Sequence, residues 1–273
     1  MTVSRLLNNN KTPSPSKENN TYFVGMRKQL HLSVITILTC CCAMAQQPVI
    51  NTDSPDQSDG SHIVEKKHFQ IETGLQLSKL DEITKGFDNV TLIRYGVAKR
   101  FEVRLINQYT SSRDSATVGG LLPPTISFKN LLWWQHGLLP KVTLVSYFRL
   151  PVTLDKKFKA DHFGYTFTLA MRHQLNSKLK LYSNFGVTQD QETTDISYLG
   201  TLELNYNITD RFSTYTEYFG NYAAHVNASN GLDIGFIYAL KNNFAIDLAL
   251  GSPTLKLGLN RFISFGVAMR LPG

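Results

Sequence analysis

The chain has almost no cysteine to work with: of its 273 residues only Cys40, Cys41 and Cys42 carry a thiol, and they are adjacent. They lie inside a short apolar stretch, so no cysteine remains downstream of Gln46 for a disulfide framework, a thiolate nucleophile or a zinc-thiolate site. Long apolar runs are missing too. The longest, "LSVITILTCCCAMA", has too few residues for a helix that crosses a bilayer. The histidines after it, His62, His68, His136, His162, His173 and His225, are scattered singly, which excludes a ligand pair at metal spacing. There is no G-x-G-x-x-G and no P-loop. The expectation is a protein without cofactor or metal.

Charge is sparse, at 18% of residues, and the formal net charge of +7 is misleading. Residues 1–45 hold Arg5, Lys11, Lys17, Arg27 and Lys28 against Glu18, so the rest of the chain carries only +3. That balance removes the footing for nucleic-acid binding.

What is present begins with a targeting pattern. "MRKQLH" from Met26 supplies a positive start, the apolar stretch follows, and Ala43-Met44-Ala45 forms an A-x-A site ahead of Gln46. Residues 26–45 therefore read as a secretory signal peptide. Residues 1–25 are polar and aperiodic, consistent with a disordered lead or a gene start set too far upstream. Residues 46–66, which include the acidic, turn-rich "NTDSPDQSDG", form a polar segment expected on the periplasmic side, and 67–273 follow as one unit.

That unit shows no helical period. Segments of about ten residues alternate apolar and polar side chains, the rhythm of strands. Tight polar turns at Lys99-Arg100, Gly137 to Pro140, Asn176 to Lys178, Thr209 to Arg211 and Lys241 to Asn243 alternate with longer loops at 81–88, 111–124, 151–162, 189–196, 223–229 and 252–256. The last three tight turns recur every 33 residues, a hairpin repeat. Five turns and six loops predict twelve antiparallel strands.

Successive side chains of a strand point to opposite faces, so each strand sorts into two. One face is uncharged: Phe69, Ile71, Thr73, Leu75, Leu77 in the first strand, and Ile263, Phe265, Val267, Met269, Leu271 in the last. The other mixes small residues with single charges, among them Glu72, Arg94, Glu102, Arg104, Lys129, Arg149, Arg172, Lys180, Glu203, Glu217, Asp233, Asp247 and Arg270. Period alone allows a soluble barrel with the apolar face inside or a membrane barrel with it outside. The signal peptide, the alternation of short and long connections, and aromatics such as Tyr109, Trp133, Trp134, Tyr198 and Tyr238 near strand ends favour the membrane. The expected fold is all-β: a transmembrane, antiparallel, up-and-down β-barrel of about twelve strands.

"TDSPDQSDG" followed by "HIVEKKHFQIETG" resembles the start of an outer-membrane barrel family named for the MetA pathway of phenol degradation, where a T-D-R-P-D-like segment precedes a strand of the Q-x-E-x-G type. The likeness extends through "ISFKNLLWWQHGLLPKVTLVSYFRLPVT" to "FISFGVAMRLPG". Ser54 stands where that family tends to have arginine, and Val152-Thr153-Leu154 lacks its glycine. The resemblance implies a transporter in the outer membrane, partnered by lipid and a small-molecule solute.

The functional expectation is a passive channel for small, hydrophobic or aromatic solutes. Arg94, Glu102, Arg104, Lys129, Arg149, Arg172, Glu203 and Glu217 would line its pore. Asp53, Asp56, Gln57 and Asp59 would tuck into the near mouth and pair with cations such as Arg94 or Arg104; a solvated linker is the alternative. The lumen charges could equally form an ion-pair network that fills the interior. Other classes are a structural or adhesive barrel and, more remotely, a barrel hydrolase. His162 and His225 sit at loop bases, but no serine nucleophile accompanies them, so no enzyme is expected. No residue pattern sets the oligomeric state.

Overall fold

The computed structural model describes residues 48–53, 57–80, 83–114, 116–152, 155–223, 228–254 and 260–271. Residues 26–45, expected from the sequence to be a signal peptide, lie outside the described residues, as do Asp56 and His225.

Among the described residues thirteen strands run in chain order: β1 (Phe69–Lys79), β2 (Lys85–Ala98), β3 (Phe101–Arg113), β4 (Thr117–Leu121), β5 (Thr125–Trp133), β6 (Lys141–Arg149), β7 (Gly164–Gln174), β8 (Leu179–Gln189), β9 (Ile196–Asn207), β10 (Phe212–Ala223), β11 (Ser229–Lys241), β12 (Phe244–Ser252) and β13 (Arg261–Leu271). Each pairs antiparallel with its neighbours, and β13 returns to β1 from Phe69↔Leu271 to Lys79↔Arg261. The sheet thus closes on itself into a barrel.

Twelve strands make the wall, because β4 is an extra. It pairs only with the loop-side half of β3, Tyr109 to Arg113, while β5 takes the turn-side half, Phe101 to Ile106. A hairpin therefore occupies part of what the sequence presents as one long loop at 111–124. The connection after β1 is also tighter than the 81–88 expected, since Gly86 to Asp88 already pair with Ser78 to Gln76. Polar, turn-forming residues hid these strand ends. The register shifts at Gly96/Ala98, Leu131/Trp133 and Ala239/Lys241 all fall at the tight-turn end, where one extra residue bends a strand into its turn.

Burial is inverted relative to a soluble barrel. Gln70, Glu72, Arg94, Glu102, Arg104, Lys129, Glu203 and Glu217 are buried in the interior, whereas Phe69, Leu75, Leu77, Leu202, Ile234, Ile263 and Phe265 lie exposed on the outside. Water-soluble monomers rarely expose an apolar mantle of this extent. It fits hydrocarbon, and the closed strands satisfy their backbone groups as lipid demands. The barrel is a transmembrane one.

Candidate functional site

The lumen charges are sorted by strand. Strands β5 to β8 contribute only bases to the interior: Lys129, Lys141, Arg149, Arg172 and Lys180. Strands β9 to β12 answer with Glu203, Glu217, Asp233 and Asp247. Register places these charges side by side: Lys141 opposite Arg172, Glu203 opposite Glu217, Glu217 opposite Asp233. Like charges on adjacent strands repel, so the arrangement requires something of the opposite polarity between the two walls.

The polar segment before β1 supplies part of it, to Lys129 on β5 and Glu217 on β10, and meets Arg94 on β2 and Arg104 on β3 besides. Asp53 lies among three buried cations, with Oδ2 2.6 Å from Lys129 Nζ, 2.9 Å from Arg104 Nη1 and 3.4 Å from Arg94 Nη1. Arg94 is held in turn by Glu72 and Glu102, each at 2.7 Å. Asp59 takes Arg104 at 3.4 Å and the hydroxyl of Tyr147, whose ring lies under the Arg104 guanidinium at 4.9 Å. Toward the acidic wall the segment presents donors instead. The Gln57 N–H donates to Glu217 Oε2 at 2.7 Å, and the Ser58 hydroxyl donates to the other oxygen of the same carboxylate. Carboxylates face bases and donors face an acid, so the segment matches the field it enters.

Backbone contacts seat the rest. Lys129 Nζ donates to Gly60 O at 2.6 Å, Thr143 to Ser61 O at 2.9 Å, and the Val64 N–H to Glu102 at 2.7 Å. Nearer the turns, Arg270 donates to Pro48 O at 2.6 Å and Ile50 N–H to Asn242 O at 2.8 Å. The segment leaves the lumen along β2 through a Lys66–Gly96 bridge, where a Cβ on Gly96 would stand 2.1 Å from Glu65 O. Only glycine admits the segment so close to the wall.

Two titratable groups of the segment respond to this setting. Burial alone would raise the Asp53 carboxyl, but Arg94, Lys129 and Arg104 outweigh it and hold the group well below the usual carboxylate range. Burial pushes the His62 ring down to about 3, and Arg94, Lys141 and Lys129 add to the shift while Asp53 opposes it. The docked segment therefore disfavours protonated His62. Its contribution to docking is complete above about pH 6.5, declines as pH falls, and is spent near pH 3, while Asp53 remains ionised through pH 4. Conductance through the wild-type barrel is expected to rise between pH 6.5 and pH 4, and His62→Gln to flatten that part of the rise.

Cavities lie on either side of the segment. On the loop side, a space of about 430 Å³ is bounded by Gln108, Leu122, Phe158 and Thr188. It shares Ile106, Thr125 and Arg149 with a deeper space of about 280 Å³ that ends on Gln57, Asp59 and Tyr147. On the turn side, about 230 Å³ is bounded by Ile50, Thr52, Gly60, Lys180, Tyr182 and Glu203. Residues 57–60 stand between them.

Of the residues singled out from the sequence, Arg94, Glu102, Arg104, Lys129 and Glu217 converge on the segment, which brings Asp53, Gln57 and Asp59 to them. Arg149 instead braces the loop-side space, donating to Thr166 at 2.7 Å and Thr188 at 2.8 Å. Glu203 lies on β9, with Asn205 donating to it at 3.2 Å. Arg172 lies on β7 in register with Lys141 and Tyr182. Sequence reading missed Lys141, which starts β6 directly after a turn and lies over the Trp134 ring at 4.7 Å. Its two-residue spacing from Thr143 and Val145 was the available signal. Ser58, Gly60 and His62 left no such signal, because their partners Glu217, Lys129 and Arg94 are 159, 69 and 32 residues away.

Among solved structures, an outer membrane channel from Pseudomonas putida F1 (COG4313) is similar over 81% of this chain and 100% of its own, at 10% identity and a TM-score of 0.58. KdgM porin, solved in complex with disordered oligogalacturonate, matches 73% of this chain and 98% of its own at 9% identity and 0.53. NanC porin matches 74% and 100% at 7% and 0.51. At these identities the likeness is one of fold. No curated protein matches the chain. A family model, however, matches residues 52–271, from the polar segment to the last strand, and the chain belongs to the family described as "Putative MetA-pathway of phenol degradation".

Proposed function

We propose that this barrel is a passive outer-membrane channel for small solutes, closed at rest by its own segment 46–66. The observation that carries the reading is the matched seating of that segment: Asp53 and Asp59 against Arg94, Arg104 and Lys129, donors from Gln57 and Ser58 against Glu217, and a cavity on each side. An interior filled only for stability would have no need of a separate chain segment, since wall side chains can fill a narrow barrel. Residues 26–45 act as the export signal, the tight turns and both ends of the barrel face the periplasm, and the long loops face outward. Membership of the family and the fold shared with porins and a channel support transport. Lipid surrounds the apolar mantle, and the solute meets Ile106, Leu122 and Phe158 before the charged waist, a lining that suits a small molecule with an apolar part.

The test is planar-bilayer conductance of the refolded protein, with and without residues 46–66. Discrete channel events that grow on removal of the segment are expected. Silence from both forms, with folded barrels verified by heat-modifiable gel mobility, would overturn the reading. In the segment-free form, Arg149→Gln is expected to shift the reversal potential toward cation preference, because it removes a positive charge from the loop-side approach while leaving the acidic wall intact.

A further inference from the structure

Four basic residues share one row on the outside of the barrel. Arg261 on β13 pairs with Lys79 on β1, Lys79 with Lys85 on β2, and Lys85 with Arg113 on β3. Directly paired residues point to the same face, and Lys79 has the parity of the lipid-facing Leu75 and Leu77. The row therefore lies on the outer face, at the loop-side end of four adjacent strands. It extends about 14 Å across them, from strand spacings of about 4.8 Å.

Such a row is unfavourable by itself, because like charges directly opposite destabilise a sheet. Among the described residues, no ion pair involves any of the four; Asp81 and Glu82 lie outside them. The next paired positions below the row are apolar or small: Ile263, Leu77, Phe87 and Ser111. Beneath these, Tyr109 meets Phe87 edge-on at 6.3 Å. Bases thus sit immediately above a greasy strip, at the level where hydrocarbon gives way to headgroups.

We infer that the row Arg261–Lys79–Lys85–Arg113 binds the phosphate groups of outer-leaflet lipid, whose acyl chains rest on Ile263, Leu77 and Phe87. Arginine at both ends offers forked donors that match phosphate oxygens, and the central lysines add charge without demanding a fixed geometry. The occupant is a lipid rather than free phosphate because the site continues into the apolar strip, and an outer-leaflet lipid because the row is at the loop end. The inference depends on the orientation of the barrel and not on whether its lumen conducts.

The test uses the refolded full barrel with three probes: lipopolysaccharide, the same material enzymatically dephosphorylated, and inorganic phosphate. Wild type is expected to bind lipopolysaccharide at least tenfold more tightly than K79Q/K85Q/R113Q/R261Q, and to lose a similar factor on dephosphorylation of the lipid. The variant K178Q/R211Q/K241Q, altered at the tight turns, should bind as wild type does. If the quadruple variant lacks heat-modifiable mobility, K85Q/R113Q serves in its place, with a loss of at least threefold. Equal binding by wild type and variant, equal binding of the dephosphorylated lipid, or displacement by millimolar inorganic phosphate would each overturn the inference.

Discussion

Asp53→Asn is expected to turn the resting barrel into a conducting one. The substitution leaves Arg94, Arg104 and Lys129 buried around a neutral amide, and removing one partner of a buried charge cluster costs about 3–5 kcal/mol. Set against docking of the segment, that range shifts the open population by roughly 10²- to 10³-fold or more. The barrel wall should survive, because its backbone ladders do not involve Asp53 and Arg94 keeps Glu72 and Glu102. Planar-bilayer recordings should therefore show Asp53→Asn approaching the conductance of the segment-free form, with unchanged heat-modifiable mobility. A variant as quiet as wild type would mean that the hydrogen bonds to Glu217, Gly60 and Glu102 hold the segment without the charge cluster.

Phe265→Arg is expected to destabilise the barrel by about 2–4 kcal/mol in vesicles, since it places a charge on the lipid face near mid-strand. Phe265 is 49% exposed and pairs with Leu75 and Leu248, both of which also face outward. Leu271→Arg, at the turn-side end of the same strand and face, should cost only about 0–1 kcal/mol. Urea unfolding in lipid measures both. Equal effects, or none, would contradict the inside-out assignment, because a charge facing water has no depth dependence.

The two predictions divide along the line between what is local and what is distant in this chain. The mantle was legible in the sequence: a strand places alternate residues on opposite faces, so Phe69, Ile71, Thr73, Leu75 and Leu77 declare a shared face before any partner is known. The tight turns at Asn176, Thr209 and Asn242 likewise announced the hairpins, because turn chemistry lies within a few residues. Strand ends were less visible. Gly86 and Asp88 look like loop, yet pairing with Ser78 and Gln76 holds them in β2, and β4 exists only because β3 extends beyond the reach of β5.

The sequence by itself determined the barrel, its two faces and the identity of most lumen charges. It also showed that an acidic, turn-rich segment stands before the first strand. Only the tertiary structure decided that bases gather on β5 to β8 and acids on β9 to β12 around a common lumen, and that Asp53 meets residues 41, 51 and 76 positions away. The closed sheet likewise brings Arg261 beside Lys79, and so assembles the outer basic row. The physical reason is closure. Alternation is a property of one strand, whereas the neighbours of a charge across a lumen or around a wall depend on strand number, register and stagger, which no single strand records.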